Sequence, residues 1–251
     1  MKHKKIWITS AHRGFVEGEL KENSLAAYYN AYLNGAEMIE TDARLTSDGI
    51  LIVNHDDTAR GYSENGEAVS YVVAENTAET ICSVILSRDE KWGTQRIPTL
   101  EDVLHLAYNT GLLVNIDLKN GIKIAEVVAR AVLKCGMIGK VVYALNGSGI
   151  DGINAILAID PDARFIDRGS FFAETVKDFP ERGKRCFCYT SDTSQENINA
   201  IRSRGCLLAL ISLDKNNFKA SIDCHPDMCE YLHTSDFRAI EEQYFNELKL
   251  Y

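Results

Sequence analysis

Short apolar runs with strand character alternate with amphipathic helical patterns along almost the whole chain, and this rhythm limits the possible folds more than any other feature. Strand then helix, repeated, is the signature of a parallel sheet whose connecting helices pack on its outside. Nine strand candidates are visible: one opened by 6–8 and ending at 11–14, then 38–42, 50–53, 112–119, 141–145, 164–167, 185–190, 207–212 and 231–234. A closed βα barrel takes eight, so one candidate is expected to be a hairpin arm or to lie outside. The expectation is an α/β chain, a TIM-type (β/α)8 barrel forming a single domain over residues 1–251. The 251 residues, 45% of them hydrophobic, suffice for such a core.

Local punctuation supports the division. Asn23-Ser24 suits a helix start, Leu25, Tyr28, Tyr29 and Tyr32 follow helical spacing, and Gly35 suits the position after the helix. Thr99 with Asp102 reads as a capping box opening the next helix, and the helix from Ile122 ends near Gly136. Residues 57–97 break the rhythm: Gly61, Asn65-Gly66, Asn76 and Gly93 interrupt a stretch of modest apolar content. It reads as an insertion after the second or third strand, an inserted loop or small subdomain over one end of the fold.

The most informative local element is Met38-Ile39-Glu40-Thr41-Asp42, followed by Asp48-Gly49 and Val53-Asn54-His55-Asp56. In a strand, side chains alternate faces, so Glu40 and Asp42 share one face about 7 Å apart. Asp48-Gly49 is a strong hairpin signal. A two-residue turn there would set Thr46 opposite Leu51 and Asp42 opposite His55. Taken alone, the stretch reads equally as a half-polar surface ribbon and as a divalent-metal and acid/base site.

Composition removes several function classes. A net charge of −9 and a pI near 5.2 lack the basic footprint of a nucleic-acid surface or a polybasic membrane patch. The N-terminus begins like a signal sequence, but its apolar run, Ile6 to Ile8, is too short for a leader core or a membrane span. Seven cysteines without regular spacing look like reduced thiols, and the expected location is the cytoplasm. Cys186 and Cys188 read as small core residues. The mixed set Cys224, His225, Cys229 and His233 lacks the tight pairing of a zinc site. A zinc-stabilised structural module is the corresponding rival.

In a βα barrel, polar residues at the C-terminal strand ends converge on one mouth. Those residues here are His12 and Arg13, Glu40 and Asp42, His55, and Asp117 with Lys119. Three carboxylates suit a hard cation such as Ca²⁺ or Mg²⁺. Two imidazoles can divide base and acid roles near neutral pH. Arg13 and Lys119 match phosphate oxygens, one as a fork and one as a point charge. The set fits metal-assisted phosphoryl transfer better than acyl transfer, and neither a serine nucleophile elbow nor a glycine-rich nucleotide loop is present.

Six short motifs carry a family resemblance: His12-Arg13-Gly14, Glu22-Asn23-Ser24, Glu40-Thr41-Asp42, Thr46 to Gly49, Val53-Asn54-His55-Asp56 and Ile97-Pro98-Thr99-Leu100-Glu101. Asn115-Ile116-Asp117-Leu118-Lys119 follows as a carboxylate-x-Lys strand. In order and spacing the sequence resembles the glycerophosphodiester phosphodiesterases over roughly residues 8–120. The resemblance implies a phospholipase-C-like phosphodiesterase barrel hydrolysing glycerophosphodiesters to sn-glycerol 3-phosphate and an alcohol. It implies one divalent cation, Ca²⁺ or Mg²⁺, on Glu40, Asp42 and Asp117, and His12 and His55 as the acid/base pair. Arg13 and Lys119 would bind the phosphate, with Glu22, Asn23 and Asp56 in support. It also implies attack on phosphorus by a glycerol hydroxyl, followed by opening of the cyclic phosphate by water.

The chain departs from the family pattern at Asp117, where a longer glutamate is usual. Beyond residue 120 the usual aromatic Trp-Thr strand has no clear counterpart, and the last Thr-Asp pair is spaced as Thr234-Ser235-Asp236. The rival readings are a lysophospholipid-directed relative, with an apolar groove at 57–97 or in the C-terminal half, and a non-catalytic binding relative. The partner expected is a small-molecule glycerophosphodiester, without nucleic acid or stable membrane insertion.

Overall fold

Eight parallel strands close on themselves in a computed structural model that describes residues 7–119, 121–144, 149–167, 186–214, 216–217 and 219–248. The barrel strands are β1 (Ile8–Ala11), β2 (Met38–Leu45), β8 (Leu113–Leu118), β9 (Val141–Ala144), β10 (Arg164–Asp167), β11 (Cys186–Thr190), β12 (Leu207–Leu213) and β13 (Met228–Tyr231). They neighbour one another in that order, and β1 pairs with both β13 and β2, which closes the ring. The ninth candidate, β3 (Leu51–Val53), hangs antiparallel on β2 as the hairpin arm.

Both faces of the strands are covered, so their sequences read as nearly continuous apolar runs. Period-two alternation still decides which side chain goes where. In β2, Ile39 and Ala43 join the layer between strands and helices, while Met38 joins the lumen cluster with Val142, Ala144, Ile166, Phe187 and Ala209. The same parity sends Glu40 and Asp42 into the lumen. The outer layer holds Val114, Ile116 and Leu118 against Leu104 of α3 (Leu100–Thr110) and Val128 of α4 (Ile122–Lys134). Truncating one of these isoleucines to alanine is expected to cost about 2–5 kcal/mol.

The helix punctuation operates as the residue types suggest. Ser24 accepts from the Ala27 N–H to cap α1 (Leu25–Leu33), and Gly35 follows that helix at a left-handed φ of 87°. Thr99 and Asp102 form a reciprocal capping box on α3, which ends at left-handed Gly111. Gly14 meets two demands at once. Its φ is 85°, and a Cβ there would fall 2.6 Å from the backbone carbon of Ala27. The turn after β1 can therefore lie directly on α1 only because that side chain is missing.

One expectation shifts. The last strand is Met228–Tyr231 rather than 231–234, because Glu230 interrupts the apolar run yet points inward, where the Tyr189 hydroxyl bonds it. Thr234 instead begins the helix Thr234–Leu248. Residues 58–96 hold a second, antiparallel sheet of β4 (Thr58–Tyr62), β5 (Ala68–Val72), β6 (Ile85–Asp89) and β7 (Gly93–Arg96), in the order β5-β4-β6-β7. Asn65-Gly66 marks its first hairpin, with Gly66 at φ 82°. The sheet has its own small core of Ala59, Val73, Ile81 and Val84, joined to Ile52 and Ile97. Among the described residues, no helix is long and apolar enough to cross a membrane.

Candidate functional site

The hairpin that carries the acids has a different register from the one expected. Its pairs are Ala43–Val53, Arg44–Ile52 and Leu45–Leu51, and the Asp42 carbonyl accepts from the Asn54 N–H at 3.0 Å. Asp42 therefore faces Asn54, not His55. The turn uses three residues, Ser47-Asp48-Gly49, with Thr46 and Ile50 bonded across it and Gly49 left-handed at φ 79°. Three-residue hairpins that close on a left-handed glycine are the next commonest after two-residue ones. Here Asp48 Oδ1 accepts from the Thr46 hydroxyl at 2.6 Å and from the Ala78 N–H at 3.0 Å. Slipping the ladder by one residue reverses the face that each partner presents, which removes His55 from Asp42.

Beyond the strand, His55 is half-exposed, and its Nδ1 lies 2.9 Å from Asp56 Oδ1. Asp56 in turn pairs with Arg60 at 3.1 Å. The hydrogen bond to His55, with the charges of His55 and Arg60, holds the Asp56 carboxyl below its ordinary range. Arg44 fixes this loop by donating to the carbonyls of Asn54 and His55 at 3.1 and 2.7 Å. Strand alternation flagged Glu40 and Asp42; carried two residues further, it would have reached Arg44.

Inside the barrel the acids do converge. Ligand oxygens of Glu40, Asp42 and Asp117 lie within 4.8 Å of one another, and all three side chains are buried. Ladder pairing sets Glu40 beside Asn115 and Asp42 beside Asp117. Lys119 Nζ approaches Asp42 Oδ1 at 2.9 Å and Asp117 Oδ2 at 2.7 Å. Arg13 Nε lies 3.3 Å from Asp42 Oδ2, its Nη1 bonds Glu22 at 2.7 Å, and its backbone N–H donates to Glu40 Oε2 at 3.1 Å. Asn23 Nδ2 donates to Asp42 Oδ2 at 2.8 Å. Arg13 and Asn23 both hold left-handed backbones, at φ 53° and 56°, and are tied together by Asn23 N–H to Arg13 C=O at 2.9 Å. Such conformations outside glycine persist where surrounding contacts enforce them.

Charge explains how buried carboxylates coexist here. Burial pushes the Asp42 carboxyl up, but Lys119, the Asn23 amide and Arg13 more than offset it and hold the group below its usual range. Lys119 shows the converse: burial pulls it down, and Asp42 and Asp117 raise it on balance. Three carboxylates against two cations leave a net negative pocket.

The trio fits a divalent cation. Its donors are all oxygens, and the span suits ligands about 2.3–2.6 Å from a central Ca²⁺. Among the described residues this is the one such group of acidic, His or Cys side chains, so Cys224, His225, Cys229 and His233 form no comparable site. His12 directly follows β1, its N–H bonded to the Tyr231 carbonyl at 3.0 Å. A cavity of about 800 Å³ reaches from Arg13, Asn23 and His55 to Arg60, Tyr62, Val69 and Leu86 of the second sheet.

Other polar residues were not singled out by sequence. Tyr28, wholly buried, lies 2.7 Å from both Asn23 Oδ1 and Thr41 Oγ1. Deeper in the lumen, Asn115 donates to the Tyr189 hydroxyl at 3.0 Å, which bonds Glu230. Tyr28 resembled packing because its helix face is otherwise apolar; only the hydroxyl distinguishes it.

Known proteins resemble this chain in sequence and in fold. A model of the glycerophosphoryl diester phosphodiesterase family matches residues 12–146. A glycerophosphodiester phosphodiesterase of Caldanaerobacter subterraneus subsp. tengcongensis is 39% identical over 117 residues, 46% of each protein. The match thus spans about half the length of that relative. A crystal structure of a glycerophosphoryl diester phosphodiesterase from Parabacteroides distasonis superposes with a TM-score of 0.73 at 20% identity, covering 95% of this chain and 87% of that one. A phosphodiesterase from Oleispira antarctica, in complex with the product sn-glycerol-3-phosphate, gives 0.71 at 16% identity and covers 94% and 97%. At these identities the structures establish a shared barrel.

Proposed function

Because the chain belongs to the glycerophosphoryl diester phosphodiesterase family, we propose that it hydrolyses a glycerophosphodiester to sn-glycerol 3-phosphate and an alcohol. The observation that carries this reading is the buried Glu40-Asp42-Asp117 trio, flanked by Arg13 and Lys119 at the mouth of the barrel. The trio would hold one Ca²⁺ or Mg²⁺. When bound, that cation supplies charge neutralisation on the phosphate and eases deprotonation of the attacking oxygen.

The remaining chemistry belongs to the protein. Arg13, anchored by Glu22 and Asp42, presents its guanidinium to the phosphate, and Lys119 adds a second positive charge. His12 and His55 share the base and acid roles. One takes the proton of a glycerol hydroxyl as it attacks phosphorus, and the other gives a proton to the departing alcohol. Water then opens the cyclic phosphate with the roles reversed. Asp56, bonded to His55 Nδ1, fixes the orientation of the ring. The cavity toward the second sheet is where the alcohol would lie.

A coupled assay for sn-glycerol 3-phosphate release over a panel of head groups, with and without chelator, tests the reading. Turnover is expected to vanish in chelator and return with Ca²⁺ or Mg²⁺. Turnover unaffected by chelation would contradict the cation site, and no release from any glycerophosphodiester would contradict the activity.

A further inference from the structure

We propose that Tyr28 is a positioning residue for the acidic trio: its hydroxyl orients the Asn23 amide, which caps Asp42 Oδ2 and so fixes the rotation of that carboxylate within the trio. The proposal rests on the reading of Glu40, Asp42 and Asp117 as a cation site.

The argument comes from the direction each bond must take. A carboxylate only accepts, so the Asn23 atom 2.8 Å from Asp42 Oδ2 is the amide nitrogen. The amide oxygen then faces Tyr28 at 2.7 Å, and it too only accepts. The single phenolic proton is therefore committed to Asn23. The Tyr28 oxygen, 2.7 Å from Thr41 Oγ1, takes the threonine proton in turn. The result is one directed chain: Thr41 to Tyr28 to Asn23 to Asp42. No alternative proton arrangement satisfies every member.

Burial gives the chain its force. Tyr28 and Thr41 are fully buried, Asp42 is 1% exposed and Asn23 6%, so bulk water cannot substitute for a lost partner. Thr41 and Asp42 are neighbours on β2 but point to opposite faces. The chain leaves the strand on its helix side, passes through α1, and returns to the lumen through the loop carrying Asn23. A flipped Asn23 would set its carbonyl against the Asp42 carboxylate. With the amide as found, Oδ2 receives Asn23 and lies 3.3 Å from Arg13 Nε, while Oδ1 faces Lys119 Nζ at 2.9 Å, so the rotation of the carboxylate is fixed.

The test is calorimetric titration of Ca²⁺ and Mg²⁺ into the protein and into Tyr28→Phe, Thr41→Val and Thr41→Ser, with thermal denaturation of each. Tyr28→Phe keeps the ring and is expected to weaken cation binding by about 10- to 100-fold, as is usual for partners that orient a ligand. Thr41→Val should weaken binding by less, and Thr41→Ser, which restores the hydroxyl, should bind like the parent. Parent-like affinity in a folded Tyr28→Phe overturns the proposal. Should that variant fail to fold, equal affinity in Thr41→Val and Thr41→Ser overturns it. A parent protein that binds neither ion defeats the cation reading itself.

Discussion

One row of the barrel ladder runs from Asp42 to Asp117 to Ala144 to Ile166 to Phe187. Within five strands at matched register, the lumen changes from carboxylate to hydrocarbon. The first three barrel strands carry His12, Glu40, Asp42, Asp117 and Lys119, whereas β9, β10 and β11 fill the same row with apolar side chains. Packing can be met by any side chains of suitable volume, but a cation site tolerates few changes of atom type or reach. The family match over residues 12–146 falls on the half with the acids. The later strands close the ring, which explains why they retain shape without recognisable motifs.

The largest effect that would break this comparison concerns the two histidines. His12→Ala and His55→Ala are each expected to lower kcat by about 10²–10⁴-fold, with circular dichroism and thermal midpoint unchanged. Full turnover in either would remove it from the acid/base pair. Of intermediate size is Tyr189→Phe in the other half. It deprives buried Glu230 of a hydroxyl donor, so a stability loss of about 1–3 kcal/mol is expected in urea denaturation, with kcat nearly unchanged. If the loss fell on kcat instead, the division between a chemical half and a closing half would fail.

The smallest effect concerns Asp48 at the hairpin tip. The Thr46 hydroxyl and the Ala78 N–H hold its carboxyl below the ordinary aspartate value. A depressed folded-state pKa gives stability that is present above the unfolded value, about 3.9, and lost as pH falls through the folded value. The stability gap between the parent and Asp48→Asn should thus be full at neutral pH and shrink on acidification below about pH 4. A gap that persisted unchanged at low pH would show that the carboxylate charge does not support the turn.

Much of the site was legible locally. Alternation placed Glu40 and Asp42 on one face of β2, and the same parity placed Asp117 in β8. Ser24, Thr99 and Asp102 marked helix starts through hydrogen bonds spanning only three residues. The second sheet was less legible, since β4 to β7 are short and half-exposed, and their partners lie across hairpins that composition alone reads as loop. Arg44 escaped notice although it shares the parity of Asp42.

By itself the sequence determined where most of the barrel strands and their helices lie, how many strands could close a barrel, and which acids enter its lumen. Those properties follow from side-chain periodicity within a few residues. Tertiary structure alone decided that Asp42 faces Asn54, in a hairpin whose three-residue turn is also held by a bond from the Ala78 N–H to Asp48, thirty residues away. It alone also joined Tyr28 to Thr41 and Asn23, and Glu230 to Tyr189. A local pattern fixes the face a side chain presents, whereas its partner depends on chain brought from elsewhere.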